Sequence, residues 1–181
     1  MFTVHAIESA PDGAKETLAG AQKAFGFVPN LLGTMAGAPA LLKAYLTVTR
    51  LFDESSLSAS ERQVVLLAVS AANQCEYCLA AHTAIASMQR VPADVIAAAR
   101  EGRRVEDRRL EALRLFATAV TERRGHPTVE QLNAFRAAGY SDQQVLEVVL
   151  GVGMKTLSNY TNHIAGTPID AVFADAIVAH V

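Results

Sequence analysis

Leu57-Ser58-Ala59-Ser60-Glu61-Arg62-Gln63-Val64-Val65-Leu66-Leu67-Ala68-Val69 is the stretch that decides the fold. Ser58 and Glu61 stand three residues apart, the spacing at which each side chain satisfies a backbone N–H that the first helical turn leaves unpaired. A helix therefore starts here. From Arg62 to Ala72 its residues are almost continuously apolar, so the helix is buried on most of its surface and needs other elements packed around it. Those elements read as helices too. Apolar residues recur at three- and four-residue spacing, alanine is abundant, and β-branched residues do not alternate with polar ones over any useful length. The chain is expected to be all-α, one domain over residues 1–181, with seven to nine helices.

Working outward, Asp12 to Phe25 reads as a helix stopped by Gly26 and Pro29, and Pro39 opens a second that runs to about Leu51. After the buried helix, the polar pair Asn73-Gln74 predicts a break, followed by a helix reaching about Met88. Pro92 and Gly102 bracket a short helix, and Glu106 to Arg123 forms another. The basic stretch from Arg100 to Arg109 reads as a solvated helix surface. Thr128 opens a helix closed by Gly139, and Ser141 opens a long one reaching about Ala165. The tail from Asp170 to Val181 is apolar enough to dock as a helix, with another subunit as the expected partner. His5, His126 and His180 fall in ends or loops and receive no role.

The 181 residues are 51% hydrophobic and 19% charged, enough to bury a sizeable core. Sixteen Lys+Arg against 18 Asp+Glu give a formal charge of -2, with no basic face to neutralise a run of phosphates, so nucleic acid is not an expected partner. The N-terminus lacks the basic start and apolar core of a secretory signal. No apolar run reaches the roughly 18 residues a bilayer span needs. The expectation is a cytoplasmic protein with no membrane partner.

The chemistry-bearing segment follows the predicted break: Cys75-Glu76-Tyr77-Cys78-Leu79-Ala80-Ala81-His82. These are the chain's two cysteines, and a pair so close cannot staple distant parts of a fold. On a helix, residues three and four apart share a face, which would project Cys75, Cys78 and His82 together. An imidazole one turn away can take a thiol proton, and the thiolate is the nucleophile. Cys78, four residues from His82, is the better placed; the unpaired N–H groups of a helix start would favour a thiolate at Cys75. A sulfenic acid formed on one cysteine could be captured by the other as a disulfide, which an external dithiol must then reduce.

Other readings stay open on the residues alone. Zinc could take Cys75, Cys78 and His82 with His163 or a carboxylate as fourth ligand, or both thiols could be structural. A thioredoxin reading needs a strand before the motif, where the sequence is helical, and haem attachment needs His where Leu79 stands.

Leu57 to Val65, then Ala68-Val69-Ser70, Asn73, Cys75, Tyr77-Cys78 and Ala81-His82-Thr83, resemble the core of the alkylhydroperoxidase D-like branch of the carboxymuconolactone decarboxylase family. That resemblance implies an all-α fold with a redox core over about residues 40–125, and homo-oligomers such as trimers or hexamers. It implies thiol peroxidase or disulfide reductase activity on a hydroperoxide or disulfide, without metal, haem or other cofactor, and with a dithiol reductant as partner. Cys78, Cys75, His82 and Gln63 are the implied site residues. The chain departs from the family pattern in two places. Gln63 stands where a relay glutamate is usual, and it can orient an imidazole but cannot take a proton. Tyr77 stands where the best-studied branch has histidine. The alternatives are lactone decarboxylation, against which the cysteine pair argues, and a non-catalytic helical oligomer that binds zinc or senses oxidants.

One more stretch stands out: Lys155-Thr156-Leu157-Ser158-Asn159-Tyr160-Thr161-Asn162-His163. Its amides and imidazole share a helix face. Buried amides must find partners, so they either line the redox pocket or bond across a subunit contact, the second being the favoured expectation.

Overall fold

The computed structural model describes residues 2–178, and among them every regular element is a helix. There are ten: α1 (Asp12–Phe25), α2 (Asn30–Met35), α3 (Pro39–Asp53), α4 (Ala59–Ala72), α5 (Glu76–Met88), α6 (Ala93–Arg100), α7 (Arg108–Glu122), α8 (Val129–Ala137), α9 (Asp142–Ala165) and α10 (Ala171–Val178). The count exceeds the expected seven to nine. The unforeseen element is α2, whose six residues are too few to show a helical period and whose N-cap Pro29 reads in sequence only as a stop.

Helix α4 is the hub, packed against α5, α6, α7 and α9. Its start is the capping box read from the sequence. Glu61 N donates to Ser58 Oγ at 3.3 Å, and Ser58 N donates to Glu61 Oε2 at 2.8 Å. Val64, Val65, Leu66, Leu67, Ala68 and Val69 are all buried, the all-round burial that the continuous apolar run demands. Helix α9 approaches α3 and α4 at Gly151, where a Cβ would lie 2.9 Å from the Phe52 ring and from Val65 Cγ1. Only glycine allows that approach.

The basic stretch is not a helix surface, because residues 101–107 form the loop between α6 and α7. Arg109 turns from the start of α7 toward the capping box, pairing with Glu61 Oε1 at 3.1 Å and lying 4.3 Å over the Tyr140 ring. A fixed acceptor and an aromatic face within reach place this guanidinium better than bulk solvent would.

Helix α10 docks on α5 of the same chain. Phe173 meets the rings of Phe27 and Tyr77 edge-on. The Tyr77 hydroxyl donates to Asp170 Oδ2 at 2.5 Å and accepts from Leu31 N at 3.2 Å, while Asp170 also accepts from Asn30 N. This buried knot ties the start of α2 and the entry to α10 onto α5. The expected tail runs on to Val181, and His180 with it lies outside the described residues.

Candidate active site

The Asn73-Gln74 break is a structured turn. Gln74 adopts φ 56°, Gln74 N bonds to Ala71 O at 3.0 Å, and Cys75 N bonds to Ser70 O at 2.9 Å. These two bonds close the end of α4 in the left-handed manner usual for helix termini. Cys75 is at once the last residue of that closure and the N-cap of α5. It therefore precedes the helix rather than lying on its face as expected, and Cys78 occupies the first turn, where unpaired N–H groups favour an anion.

Both cysteines are free and buried. Asn162 from α9 spans them, its Nδ2 donating to Cys78 Sγ at 3.3 Å and lying 3.8 Å from Cys75 Sγ. Ser158, one turn earlier on α9, places its Oγ 3.7 Å from Cys78 Sγ. The thiol of Cys75 donates toward Cys78; this bond first, and then the nearby charge of Lys155, hold Cys78 well below the ordinary thiol value even though burial opposes ionisation. The same shared proton, together with burial, pushes Cys75 up. Of the two thiols Cys78 is the one held low, and the helix-start advantage expected for Cys75 goes to its neighbour.

His82 is buried, and its Nδ1–H donates to Gln63 Oε1 at 3.1 Å. The amide orientation is set from behind, since Gln63 Nε2 donates to Gln89 Oε1 at 3.2 Å. With Nδ1 carrying the proton, Nε2 is left with a free lone pair. Burial, and then the Lys155 charge, hold His82 well below the ordinary histidine value, so the ring is neutral. Among the described residues no hydrogen bond joins His82 directly to either sulfur.

Sequence reasoning passed over Lys155. Its side chain is 0% exposed and its Nζ makes no hydrogen bond of ordinary geometry, yet its charge acts on Cys75, Cys78 and His82. The signal was available. Val148, Gly151, Lys155, Ser158 and Asn162 recur at helical spacing along the buried face of α9, so a lysine falls where a core residue belongs. The subunit-contact reading of the same stretch fails for Asn159 and Asn162, which are buried within the chain. Asn159 Oδ1 accepts from Asn73 Nδ2 at 2.9 Å, and Asn162 reaches the thiols. His163 is exposed.

A cavity of about 210 Å³ reaches the motif and is lined by Gln74, Cys75, Glu76, Tyr77, Asn162, His163 and Thr167, among others. Cys78 is not on its wall. A larger cleft of about 480 Å³, between Leu79, Ala99 and Arg114, touches neither thiol and is set aside for that reason. No three His, Cys, Asp or Glu side chains among the described residues come together as metal ligands. No described helix is long and apolar enough to cross a membrane.

The described residues form an all-helical fold that buries a Cys-x-x-Cys pair at a helix start, with a histidine one turn on. Residues 36–121 match the model of the carboxymuconolactone decarboxylase family. The fold is shared with a peroxidase-related protein from Ralstonia eutropha JMP134 that has an alkylhydroperoxidase AhpD core (24% identity, TM-score 0.84, covering 99% of this chain and 96% of that one). It is shared equally with the debrominase Bmp8 in complex with 2,3,4-tribromopyrrole (20% identity, TM-score 0.84, covering 100% and 97%). A peroxidase-related protein from Silicibacter sp. TM1040 is also similar (21% identity, TM-score 0.79, covering 95% and 91%). A search of curated protein sequences finds no match.

Proposed function

We propose that the protein is a thiol-dependent peroxidase and disulfide reductase, with Cys78 as nucleophile, Cys75 as resolving thiol, His82 as proton carrier and Gln63 as the group that orients it. The observation that carries this reading is the asymmetry of the pair: Cys75 donates toward Cys78 and Asn162 Nδ2 donates to the same sulfur, so Cys78 is held well below the ordinary thiol value while Cys75 is pushed up. The Cys78 thiolate attacks the terminal oxygen of a hydroperoxide; an S–O bond forms, the O–O bond breaks, and the alkoxide takes a proton from solvent water and leaves as an alcohol. The Cys75 sulfur then attacks the sulfenyl sulfur. The S–S bond forms, the S–O bond breaks, and hydroxide leaves as water with the Cys75 proton, so two electrons have passed from the dithiol to the peroxide. His82 Nε2 carries protons between these steps. An external dithiol returns the pair to the reduced state by attacking Cys75, the sulfur on the cavity wall, and Cys78 departs as the more stable thiolate.

Mass spectrometry after one equivalent of hydroperoxide tests the reading. Wild type is expected to form the Cys75–Cys78 disulfide, Cys75→Ser to hold a sulfenic acid on Cys78, and Cys78→Ser to react no faster than an ordinary exposed thiol. Failure of all three to outpace a free cysteine removes the peroxidase assignment.

A second reading is favoured by the debrominase match over the whole chain. The same thiolate would then take a halogen from a small halogenated ring instead of oxygen from a peroxide. Halide release from a brominated pyrrole in the presence of a dithiol separates the two.

The functional unit under this proposal is a homo-oligomer, trimeric or hexameric, working in the cytoplasm. Support comes from the outer face of α9, where Leu146, Val149, Tyr160 and Ile164 are exposed at helical spacing, with Ile164 at 72%. Light scattering on the purified chain measures its mass.

A further inference from the structure

We infer that Lys155 is the resident counter-ion of the Cys78 thiolate, the charge partner at a site where Gln63 has replaced the relay carboxylate. The inference rests on the thiol reading above and names the group that makes its nucleophile.

A lysine ammonium taken fully out of water loses several kcal/mol of hydration unless an anion meets it. Lys155 is 0% exposed and its Nζ makes no hydrogen bond of ordinary geometry, while its side chain's approach to Cys78 is among the causes that lower that thiol. None of the ion pairs of the described residues includes it. The groups around it can be taken element by element. Helix α2 contributes no titratable side chain. From α3 comes Tyr45, whose phenol burial keeps protonated. From α4 comes Gln63, which is uncharged, while Glu61 is already bonded to Ser58 and Arg109. Helix α5 offers Cys75, which keeps its proton, Tyr77, which donates to Asp170, His82, which has no anionic form in reach, and Cys78. Glu111 and Arg114 of α7 are paired with each other. Asp53 of α3 is paired with Arg62, and Asp170 accepts from Tyr77 and Asn30, which leaves Cys78 to supply the negative charge.

Helix geometry delivers Lys155 to that sulfur. Ser158 and Asn162 follow it by three and seven residues, on one face over successive turns, and both stand at Cys78 Sγ. A glutamate at position 63 would offer the ammonium a competing anion beside His82. The amide there leaves the charge to the thiol. The thiolate therefore exists before any substrate arrives, and its ionisation follows Lys155 more than His82.

The test is the pH dependence of iodoacetamide alkylation of Cys78 in the full chain carrying Cys75→Ser, where one thiol reports. Adding Lys155→Met is expected to raise the midpoint by about one pH unit or more, a roughly tenfold slower alkylation near neutral pH. Lys155→Arg keeps the charge and is expected to restore most of the rate. His82→Asn is expected to move the midpoint less than Lys155→Met. An unchanged midpoint in Lys155→Met, or an equal shift in His82→Asn, overturns the assignment. Thermal unfolding is the second measurement. Cys78→Ala strands the buried ammonium and lowers the midpoint temperature, and Cys78→Ala with Lys155→Met regains it. A double variant no more stable than Cys78→Ala also overturns the pairing. Neither measurement involves a peroxide, so loss of the peroxidase reading and loss of the charge pair are told apart.

Discussion

Gln63 Oε1 accepts the Nδ1–H of His82 at 3.1 Å, in the place where a carboxylate would accept it with a full charge. The amide fixes the tautomer but does nothing to favour the imidazolium, so burial and the Lys155 charge leave His82 neutral. Gln63→Glu is expected to raise the His82 pKa from its depressed level, because an adjacent anion stabilises the protonated ring. Ring NMR titration reads this directly. A His82 that stays neutral down to the same pH in the variant would show that the carboxamide is not what sets its charge.

The same depressed value makes stability depend on pH with a definite sign. Unfolded, His82 takes a proton as pH falls through its ordinary value of 6.5; folded, it does so only well below that. The unfolded state binds more protons in this window, so stability falls as pH drops below about 6.5, at up to roughly 1.4 kcal/mol per pH unit for one group. Urea unfolding at pH 7, 6 and 5 checks the slope. His82→Gln should flatten it, and an equally steep slope in that variant assigns the effect elsewhere.

The cavity wall carries Cys75 and not Cys78, so under the proposed cycle a reductant meets Cys75 first. Partial reduction of the disulfide form with 2-mercaptoethanol, quenched with acid, is expected to leave the mixed disulfide on Cys75. Tandem mass spectrometry locates it. A mixed disulfide found on Cys78 would reverse the order of attack.

Two glycines two residues apart on α9 should behave oppositely. Gly151→Ala drives a methyl to 2.9 Å from Phe52 and Val65, an overpacking that costs about 1–3 kcal/mol and displaces the turn carrying Lys155. Gly153→Ala meets nothing within 4 Å and is expected to be neutral or stabilising by up to about 1 kcal/mol through helix propensity. Thermal unfolding of the two variants, side by side, decides whether the close approach is what glycine serves.

Much of the fold is legible from local signals. The capping boxes at Ser58, Thr128 and Ser141, Pro39 at the start of α3, and the break at Asn73-Gln74 all stand where the sequence puts them, because caps and turns are chosen by residues within one or two turns of each other. The short α2 escaped for the same reason in reverse. Six residues hold too little period to be seen, and its place is set by Asp170 accepting from Asn30 N across the chain.

The candidate site divides along the same line. From the sequence alone came Cys75, Cys78, His82 and Gln63, because motif spacing and family resemblance are written in neighbouring residues. Tertiary structure decided which thiol is held low and which is pushed up, which acceptor His82 Nδ1 meets, and that Ser158 and Asn162 stand beside the cysteine pair. Ser158 and Asn162 reach Cys78 from a helix about 80 residues further along the chain, and no local pattern says which face of α9 will meet which turn of α5. Burial then converts that meeting into chemistry, since an ammonium, a thiol and an imidazole shift one another's protons strongly only where water is excluded.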